Sequence, residues 1–228
     1  MTEMLLSKRH RLRPGGAYPK TTITIHSTAN THSTALGERK WLDNPANKRL
    51  ASWHYCVDDS DIIHAIPDNE EAWHCGSADG NRHSLSIEIC ESGNRKKAVE
   101  NAAQLTAEKA LELGLSENEI VRHFDWSGKN CPRILIDKSY IEEEIDWKYF
   151  LERVKRHMAD MSDKAFGERF NAELNKRDGL SPSAWSADDR KWAEENGIIV
   201  GDENGMRYKA FVTREELVSM LRRTKEMM

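Results

Sequence analysis

The chain has 228 residues, of which 38% are hydrophobic and 32% are charged, and its formal net charge is −4. This composition, with seven tryptophans, indicates a folded and well-solvated protein rather than a disordered one. The net negative charge gives no global positive field, so we expect no nucleic-acid partner. Because no run approaches the ~18 apolar residues of a membrane helix, we also expect no membrane insertion.

The N-terminal stretch "SKRHRLRPGG" is locally basic. It is either a solvated tail or a contact for an anionic polymer, and the sequence leaves both interpretations open. The apolar run before these charges is only "MLL", which is too short for a signal-peptide core, so we expect synthesis in a cytoplasm. In that reducing compartment all four cysteines should remain thiols, namely Cys56, Cys75, Cys90 and Cys131.

Alternating β-branched residues in "TTITIHST" (21–28) predict a strand with His26 near its C-terminal end. The stretch "STALGERKWLDN" (33–44) predicts a helix. Next, "ASWHYCVDD" (51–59) and "DIIHAIP" (61–67) predict a hairpin of two strands joined by an acidic turn. A further short strand is predicted in "HSLSIEICES", after a loop formed by "SADGNRH".

The segment "KKAVENAAQLTAEKALELGL" (96–115) predicts a helix that stops at Gly114. The stretch "SENEIVRHFDW" (116–126) predicts a cap, a short strand around Ile120, and a loop. An amphipathic helix in "DWKYFLERVKRHM" (146–158) should close the first domain. Strands that alternate with helices place this domain in the α/β class.

The pattern changes after Met158, and we predict a first domain over residues 1–160. Residues 161–228 should be a linker and a small helical domain. In it, Ser186 and Gly197 should bound a helix over 187–196. A second helix should be capped by Thr213, with Glu216 in the capping-box position.

Three residues of the first domain have side chains that ligate zinc, namely His26, His123 and Cys131. Taken alone, a residue of each of these types more often has a structural role than a metal-binding one. Catalytic zinc takes three protein ligands and structural zinc takes four, and no obvious fourth ligand lies beside these three. Lys129, two residues before Cys131, places an ammonium next to a thiolate.

Four segments in this order and spacing resemble zinc-dependent N-acetylmuramoyl-L-alanine amidases of the type-2 class: "TTITIHST", "ASWHYCVDD", "AWHCGSADGNRHSLSIEIC" and "HFDWSGKNCP". This class includes phage endolysins and is related to T7 lysozyme and the peptidoglycan recognition proteins. The resemblance covers roughly residues 18–157. It implies a mixed central sheet flanked by helices.

The resemblance also implies roles for single residues and a Zn2+ cofactor. His26, His123 and Cys131 match the three zinc ligands of the family. Glu88 matches the carboxylate that acts as general base on water in the branch that attacks Gram-positive walls. Lys129 matches the lysine that faces the metal and stabilises the developing oxyanion.

One position departs from the family pattern. Relatives such as T7 lysozyme carry a catalytic tyrosine where this sequence has Trp53, so the proton-transfer role would fall to Glu88. The next residue, His54, is either a pocket residue that contacts substrate or a core residue. The stretch with Trp73, His74 and Asn81 is either one wall of a cleft that contacts peptide or sugar, or an ordinary surface loop.

The C-terminal stretches "DDRKWAEENGIIVGDENG" and "FVTREELVSMLRR" resemble parts of S-layer-homology modules. Such modules are associated with wall-polymer binding or self-association, and they occur in threes, whereas this chain carries a single copy. The segment is therefore a cell-wall-binding domain, a small stabilising domain, or a surface through which the chain forms a homodimer.

The leading hypothesis is a zinc amidase that cleaves peptidoglycan, as a phage or prophage endolysin that acts on the wall after release. The alternative is a non-catalytic peptidoglycan-binding module. Relatives that only bind typically lose the cysteine ligand, whereas Cys131 is present here. A third hypothesis, a regulatory partner of another protein, is neither supported nor excluded by the sequence.

Overall fold

The computed structural model describes residues 1–178, 180–201, 206, 208, 209, 212 and 214–226. The chain divides into two compact units, Met1–Met161 and Ser162–Met228. Among the described residues, no helix is both long enough and apolar enough to cross a membrane.

The first unit is built on a mixed six-stranded sheet with the order β1-β4-β3-β5-β2-β6. Strands β3 and β4 form an antiparallel hairpin, and the other neighbouring pairs are parallel. The mixed sheet flanked by helices and the hairpin confirm the predictions from the sequence. The strands are β1 (Thr2–Glu3), β2 (Thr22–Ser27), β3 (Tyr55–Val57), β4 (Ile62–His64), β5 (Ser84–Ile89) and β6 (Ile120–Arg122).

The alternation of residues along β2 and β5 gives the sheet two different faces. One face is apolar and belongs to the larger hydrophobic core, whereas the other carries the polar side chains. The apolar positions are Ile23, Ile25, Leu85 and Ile87, and the polar ones are Thr24, His26, Ser86 and Glu88. These polar side chains of the two central strands therefore all lie on one side of the sheet.

The helices of the first unit cover both faces of the sheet. Helix α3 packs against the apolar face, together with α5 and the start of α6. Helix α1 and the N-terminal segment pack a smaller core on the other face. The helices are α1 (Ala35–Asp43), α2 (Ala78–His83), α3 (Arg95–Leu113), α4 (His123–Ser127), α5 (Arg133–Ile136) and α6 (Trp147–Asp178).

Helix α3 ends as predicted. Gly114 follows its last residue with a φ of 68°, and its N–H donates to carbonyls of the last turn. An L-residue rarely adopts this left-handed conformation, so glycine at this position stops the helix.

Three local predictions were wrong. The predicted loop before β5 contains α2, which Ser77 caps by accepting a hydrogen bond from the N–H of Gly80. The predicted loop after β6 begins with the short helix α4. The helix predicted to end near Met158 continues to Asp178, because the following residues are mostly good helix formers and include no proline.

The second unit is helical in the part that the structure describes. Helix α7 spans Ala187–Glu195 and α8 spans Arg214–Glu226. Gly197 follows α7 with a φ of 66°, as predicted for its end. Ser186 stands at the N-cap of α7 but forms no side-chain capping bond. The predicted cap Thr213 lies outside the described residues.

Candidate metal centre

Two adjacent strands and one turn bring three metal-ligating side chains together. His26 lies near the end of β2, and β6 pairs beside β2, so His123 emerges next to it. Helix α4 and the turn after it lead the chain back to β2. There the N–H of Phe124 donates to the carbonyl of Cys131 at 2.9 Å, and the N–H of Ser27 lies 3.4 Å from its sulfur.

The ligand atoms of His26, His123 and Cys131 all lie within 4.8 Å of one another, and all three residues are buried. The two Nδ1 atoms are 3.0 Å apart, and the sulfur lies 3.8 Å from Nδ1 of His26. Two imidazole nitrogens and one thiol are a donor set that suits zinc. Three such ligands leave a coordination position open, as catalytic zinc requires.

The protonation of the cluster also fits a metal. Burial, and then the nearby His74, lowers the pKa of His26 well below its usual value. Burial and Lys129 lower the pKa of His123 to about 4, so both rings are neutral, which is the form that ligates metals. Burial and Glu88 raise the pKa of Cys131 to about 12. Its thiol therefore keeps its proton until a cation displaces it.

A second layer of contacts orients His26, the first candidate ligand. Nδ1 of His74 lies 3.0 Å from Nε2 of His26, on the side of the ring away from the cluster. The backbone N–H groups of His74 and Cys75 donate to Oδ1 of Asn81 at 3.0 and 3.1 Å. Asn81 thus fixes the loop of His74, and His74 fixes the ring of His26, as outer partners of metal ligands commonly do.

Glu88 is the carboxylate next to the cluster. It pairs in register with His26, and its Oε1 lies 4.0 Å from the Nδ1 of that residue. Its Oε2 is buried without a hydrogen-bond partner among the described residues. Burial, and then repulsion by Glu38, raises the pKa of Glu88 to about 8, although Lys129 opposes this rise. A buried polar atom without a partner indicates a place for a ligand or water.

The cluster opens into a cavity of about 450 Å³. Of the residues predicted from the sequence, it is lined by the three candidate ligands and by Glu88, Lys129, Trp73 and His74, and also by Trp53. It is lined as well by Glu38, Trp41 and Arg49, which no motif had singled out. The sequence could have indicated these residues only through their position in or after α1. That helix was predicted, but it was not connected with the site.

Two residues predicted to contact substrate do not line this cavity. Asn81 holds the loop described above. His54 is fully buried, with Nδ1 2.9 Å from Oγ of Ser86 and Nε2 2.9 Å from the carbonyl of Glu70. Burial lowers the pKa of His54 to about 3. The geometry therefore fits the core interpretation of His54, in which it braces β5 against the neighbouring loop.

The turn that carries Cys131 is anchored by a buried ion pair. The carboxylate of Glu91, 1% exposed, accepts hydrogen bonds from Arg133 at 2.6 and 3.1 Å and from the N–H of Ala29 at 2.9 Å. Removing one partner of such a pair leaves a poorly solvated charge. We expect Glu91→Ala to lower the free energy of unfolding in urea by about 2–4 kcal/mol.

The matched control for this prediction is Glu152→Ala. Glu152 pairs with Lys148 at 3.8 Å, and their side chains are 65% and 83% exposed. Exposed pairs contribute little, so this variant should lose less than about 1 kcal/mol. Equal losses in the two variants would contradict the anchoring role of Glu91.

The comparison with protein families identifies the family to which the chain belongs. The profile described as N-acetylmuramoyl-L-alanine amidase matches residues 16–134, which are over half of the chain and include every lining residue of the cavity. This chain belongs to the N-acetylmuramoyl-L-alanine amidase family.

Individual relatives agree with this assignment. The N-acetylmuramoyl-L-alanine amidase XlyA of Bacillus subtilis (strain 168) is 43% identical over 131 residues, which cover 55% of this chain and 43% of XlyA. The chain spans about half the length of the curated relatives it matches. The solved catalytic domain of XlyA is 36% identical and superposes with a TM-score of 0.60, over 68% of this chain and 99% of that domain. A structure described as a mutant endolysin from Bacillus subtilis is 37% identical, with a TM-score of 0.60, over 67% of this chain and 96% of that one.

Proposed function

We propose that this chain is a zinc-dependent N-acetylmuramoyl-L-alanine amidase. It hydrolyses the amide between the lactyl group of N-acetylmuramic acid and the L-alanine of the stem peptide in peptidoglycan. The observation that carries the proposal is the buried cluster of His26, His123 and Cys131, which opens into one cavity with Glu88 and Lys129. Membership of the family supports the same activity.

The residues of the cavity divide the chemistry between them. His26, His123 and Cys131 would hold zinc, which supplies Lewis acidity for the activation of water and for the polarisation of a carbonyl. Glu88 accepts the proton of the attacking water and passes it to the leaving amine. Its deprotonated form is favoured once a cation occupies the cluster, because positive charge lowers the pKa of a nearby carboxyl. Lys129 stabilises the negative charge that develops on the carbonyl oxygen.

The direct test is a digest of purified peptidoglycan by the full chain with zinc. The products should be stem peptides with a new amino terminus on alanine, released from intact glycan strands and identified by mass spectrometry. New reducing sugar ends, or no new alanine amino terminus, would overturn the proposal. In the second case the chain would be the non-catalytic peptidoglycan-binding module of the alternative hypothesis, against which the complete ligand set argues.

The biological role is the finer part of the proposal. We propose a phage or prophage endolysin, made in a host cytoplasm and active on a Gram-positive wall after release. The resemblance to a solved Bacillus subtilis endolysin supports this role. Lysis of intact Gram-positive cells by externally added protein, and not of Gram-negative cells with intact outer membranes, is the matching result.

The second unit is proposed as the part that binds the wall. A chain that ends at Met161 keeps the cavity and also retains Met158 and Met161, which pack on the main core. On soluble muropeptides its rate should match that of the full chain. On intact cells it should fall by roughly tenfold or more, because a tethered catalytic unit has a higher effective concentration at an insoluble substrate.

The full chain is the control for this truncation. An unchanged rate on intact cells would contradict wall binding by residues 162–228. Size-exclusion chromatography with mass detection on both chains would then separate the two remaining interpretations. A dimer of the full chain and a monomer of the shorter one would indicate homodimerisation, whereas two monomers would indicate a stabilising role.

A further inference from the structure

The cavity extends beyond the residues that the proposed reaction uses. One end is formed by the metal-ligating cluster with Lys129. Other lining residues come from α1 and from the segment between α1 and β3, and they include Glu38, Trp41 and Arg49. Among the described lining residues, the only lysine or arginine side chains are Lys129 and Arg49. Lys129 stabilises the oxyanion in the proposed reaction, whereas Arg49 has no role in it.

The guanidinium of Arg49 differs from most others in this unit. Most arginines elsewhere in the unit have carboxylate partners, as Arg13 does with Glu70 and Arg133 does with Glu91. Arg49 is exposed, and among the described residues its side chain has no hydrogen bond and no ion pair. Glu38, in the same cavity, is not within ion-pair distance of it either. The guanidinium is therefore available to a ligand.

The backbone below this free side chain is held in place. The N–H of Arg49 donates to Oδ1 of Asn47 at 2.9 Å, and Nδ2 of Asn47 donates to the carbonyl of Trp41 at 3.2 Å. The guanidinium of Arg11 donates to the backbone carbonyl of Asn47. Asn47 is itself buried. A guanidinium on an anchored backbone suits bidentate binding of a carboxylate, since little backbone freedom is lost when the ligand binds.

Arg49 also shares a cavity with the reaction centre. Arg49, Glu88 and the metal-ligating cluster all line it. An extended peptide advances ~3.3–3.6 Å per residue. A stem peptide with its scissile amide at the cluster therefore places its second residue within a short distance of the cleavage point, inside a cavity of about 450 Å³.

We propose that Arg49 binds the α-carboxylate of the second residue of the stem peptide, and so makes the enzyme prefer a free carboxylate there over its amide. Where this residue is linked onward through its side chain, its α-carboxyl is left either free or amidated. An amide presents one oxygen and no charge to the guanidinium, whereas a carboxylate accepts two charge-assisted hydrogen bonds. The inference rests on the proposed amidase function and adds a substrate preference to it.

The test compares two synthetic muramoyl peptides that differ only in a free or an amidated α-carboxyl at the second residue. The full chain, loaded with zinc, should hydrolyse the free form with a kcat/KM about tenfold higher than the amidated form. In Arg49→Gln this ratio should fall close to one. Arg49→Lys should keep part of the preference, because an ammonium retains the charge but lacks the bidentate geometry.

Lys48→Gln is the matched control. Lys48 is the neighbouring exposed cation, it contacts the carbonyl of Pro45, and it does not line the cavity. Its removal changes the net charge equally, so the substrate ratio should stay at the unsubstituted value. An equal fall in Lys48→Gln would show general attraction to anionic substrates and would overturn a specific contact with Arg49.

The remaining outcomes distinguish a failure of the role of Arg49 from a failure of the amidase function. Hydrolysis of both substrates by the unsubstituted chain at equal rates, or an undiminished ratio in Arg49→Gln, would overturn the role of Arg49 and leave the amidase function standing. Hydrolysis of neither substrate would overturn the amidase function, and the substrate preference with it. Thermal unfolding of each variant should match that of the unsubstituted chain, since both side chains are exposed.

Discussion

Replacing Glu88 by glutamine should lower kcat for amide hydrolysis by about a hundredfold to ten-thousandfold, the range that a lost general base typically costs. The substitution keeps the size of the side chain but removes its ability to accept a proton from water. Glu88 adjoins His26 without belonging to the ligand cluster, so the zinc content should stay near that of the unsubstituted chain. Initial rates on a soluble muropeptide and elemental analysis of the same samples measure both quantities.

The control for this prediction is Glu108→Gln. Glu108 lies on α3, which packs on the opposite face of the sheet, and it pairs only with Gln104 among the described residues. Its loss should leave kcat within about twofold, as is usual for a surface substitution away from a site. If Glu88→Gln also hydrolyses the muropeptide at close to the unsubstituted rate, Glu88 is not the base.

The structure limits which other residue could then act as the general base in place of Glu88. The phenol of Tyr55 is buried and donates to Asp68 at 2.6 Å, and burial raises its pKa far above the usual range. The ring of His54 is also buried and hydrogen-bonded away from the cavity. Neither group can reach a substrate in this geometry. Among the described lining residues, Glu38 is the other carboxyl that could accept a proton.

The central strands were predictable because their signal is local. The alternation in "TTITIHST" requires one face to be apolar and the other polar, and it places His26 on the polar face near the strand end. Gly114 ends α3 for a similarly local reason, its positive φ. Such features depend on a few adjacent residues, so one sequence is enough to indicate them.

The missed features depend on local chemistry without periodicity or on contacts that are distant in sequence. Helix α2 has six residues and no apolar stripe, and Ser77 was its one signal. The interpretation of His54 depended on whether Ser86, 32 residues away, meets its ring. Arg49 joins the cavity only because α1 packs over the polar face of the sheet. No pattern among neighbouring residues indicates these contacts between distant parts of the chain.

Replacing Cys131 by serine should reduce zinc affinity by more than about a hundredfold. Loss of a partner that merely orients a ligand typically costs about 10–100-fold in metal affinity, and the loss of a ligand itself should exceed this. Serine offers a hydroxyl that is a far weaker ligand than a thiolate. Zinc competition with a chromophoric chelator measures the affinity, and elemental analysis of the unsubstituted chain should give about one zinc per chain.

Cys90→Ser is the matched control for this substitution. Cys90 is also a buried free thiol of the same unit, but its sulfur lies 3.5 Å from the sulfur of Cys56, outside the ligand cluster. A serine hydroxyl can donate to the same sulfur, so this variant should keep its zinc. Undiminished zinc in both Cys131→Ser and His26→Ala would contradict the assignment of the cluster.

Proton release gives an independent check on the same ligand. Burial and Glu88 raise the pKa of Cys131 to about 12, so the metal-free thiol is protonated at pH 7. The two histidines are already neutral there, because their pKa values are lowered. Zinc requires the thiolate, and its binding should therefore release one more proton from the unsubstituted chain than from Cys131→Ser. Calorimetry in two buffers of different ionisation enthalpy counts these protons, and equal numbers in the two proteins would show that the thiol is not a ligand.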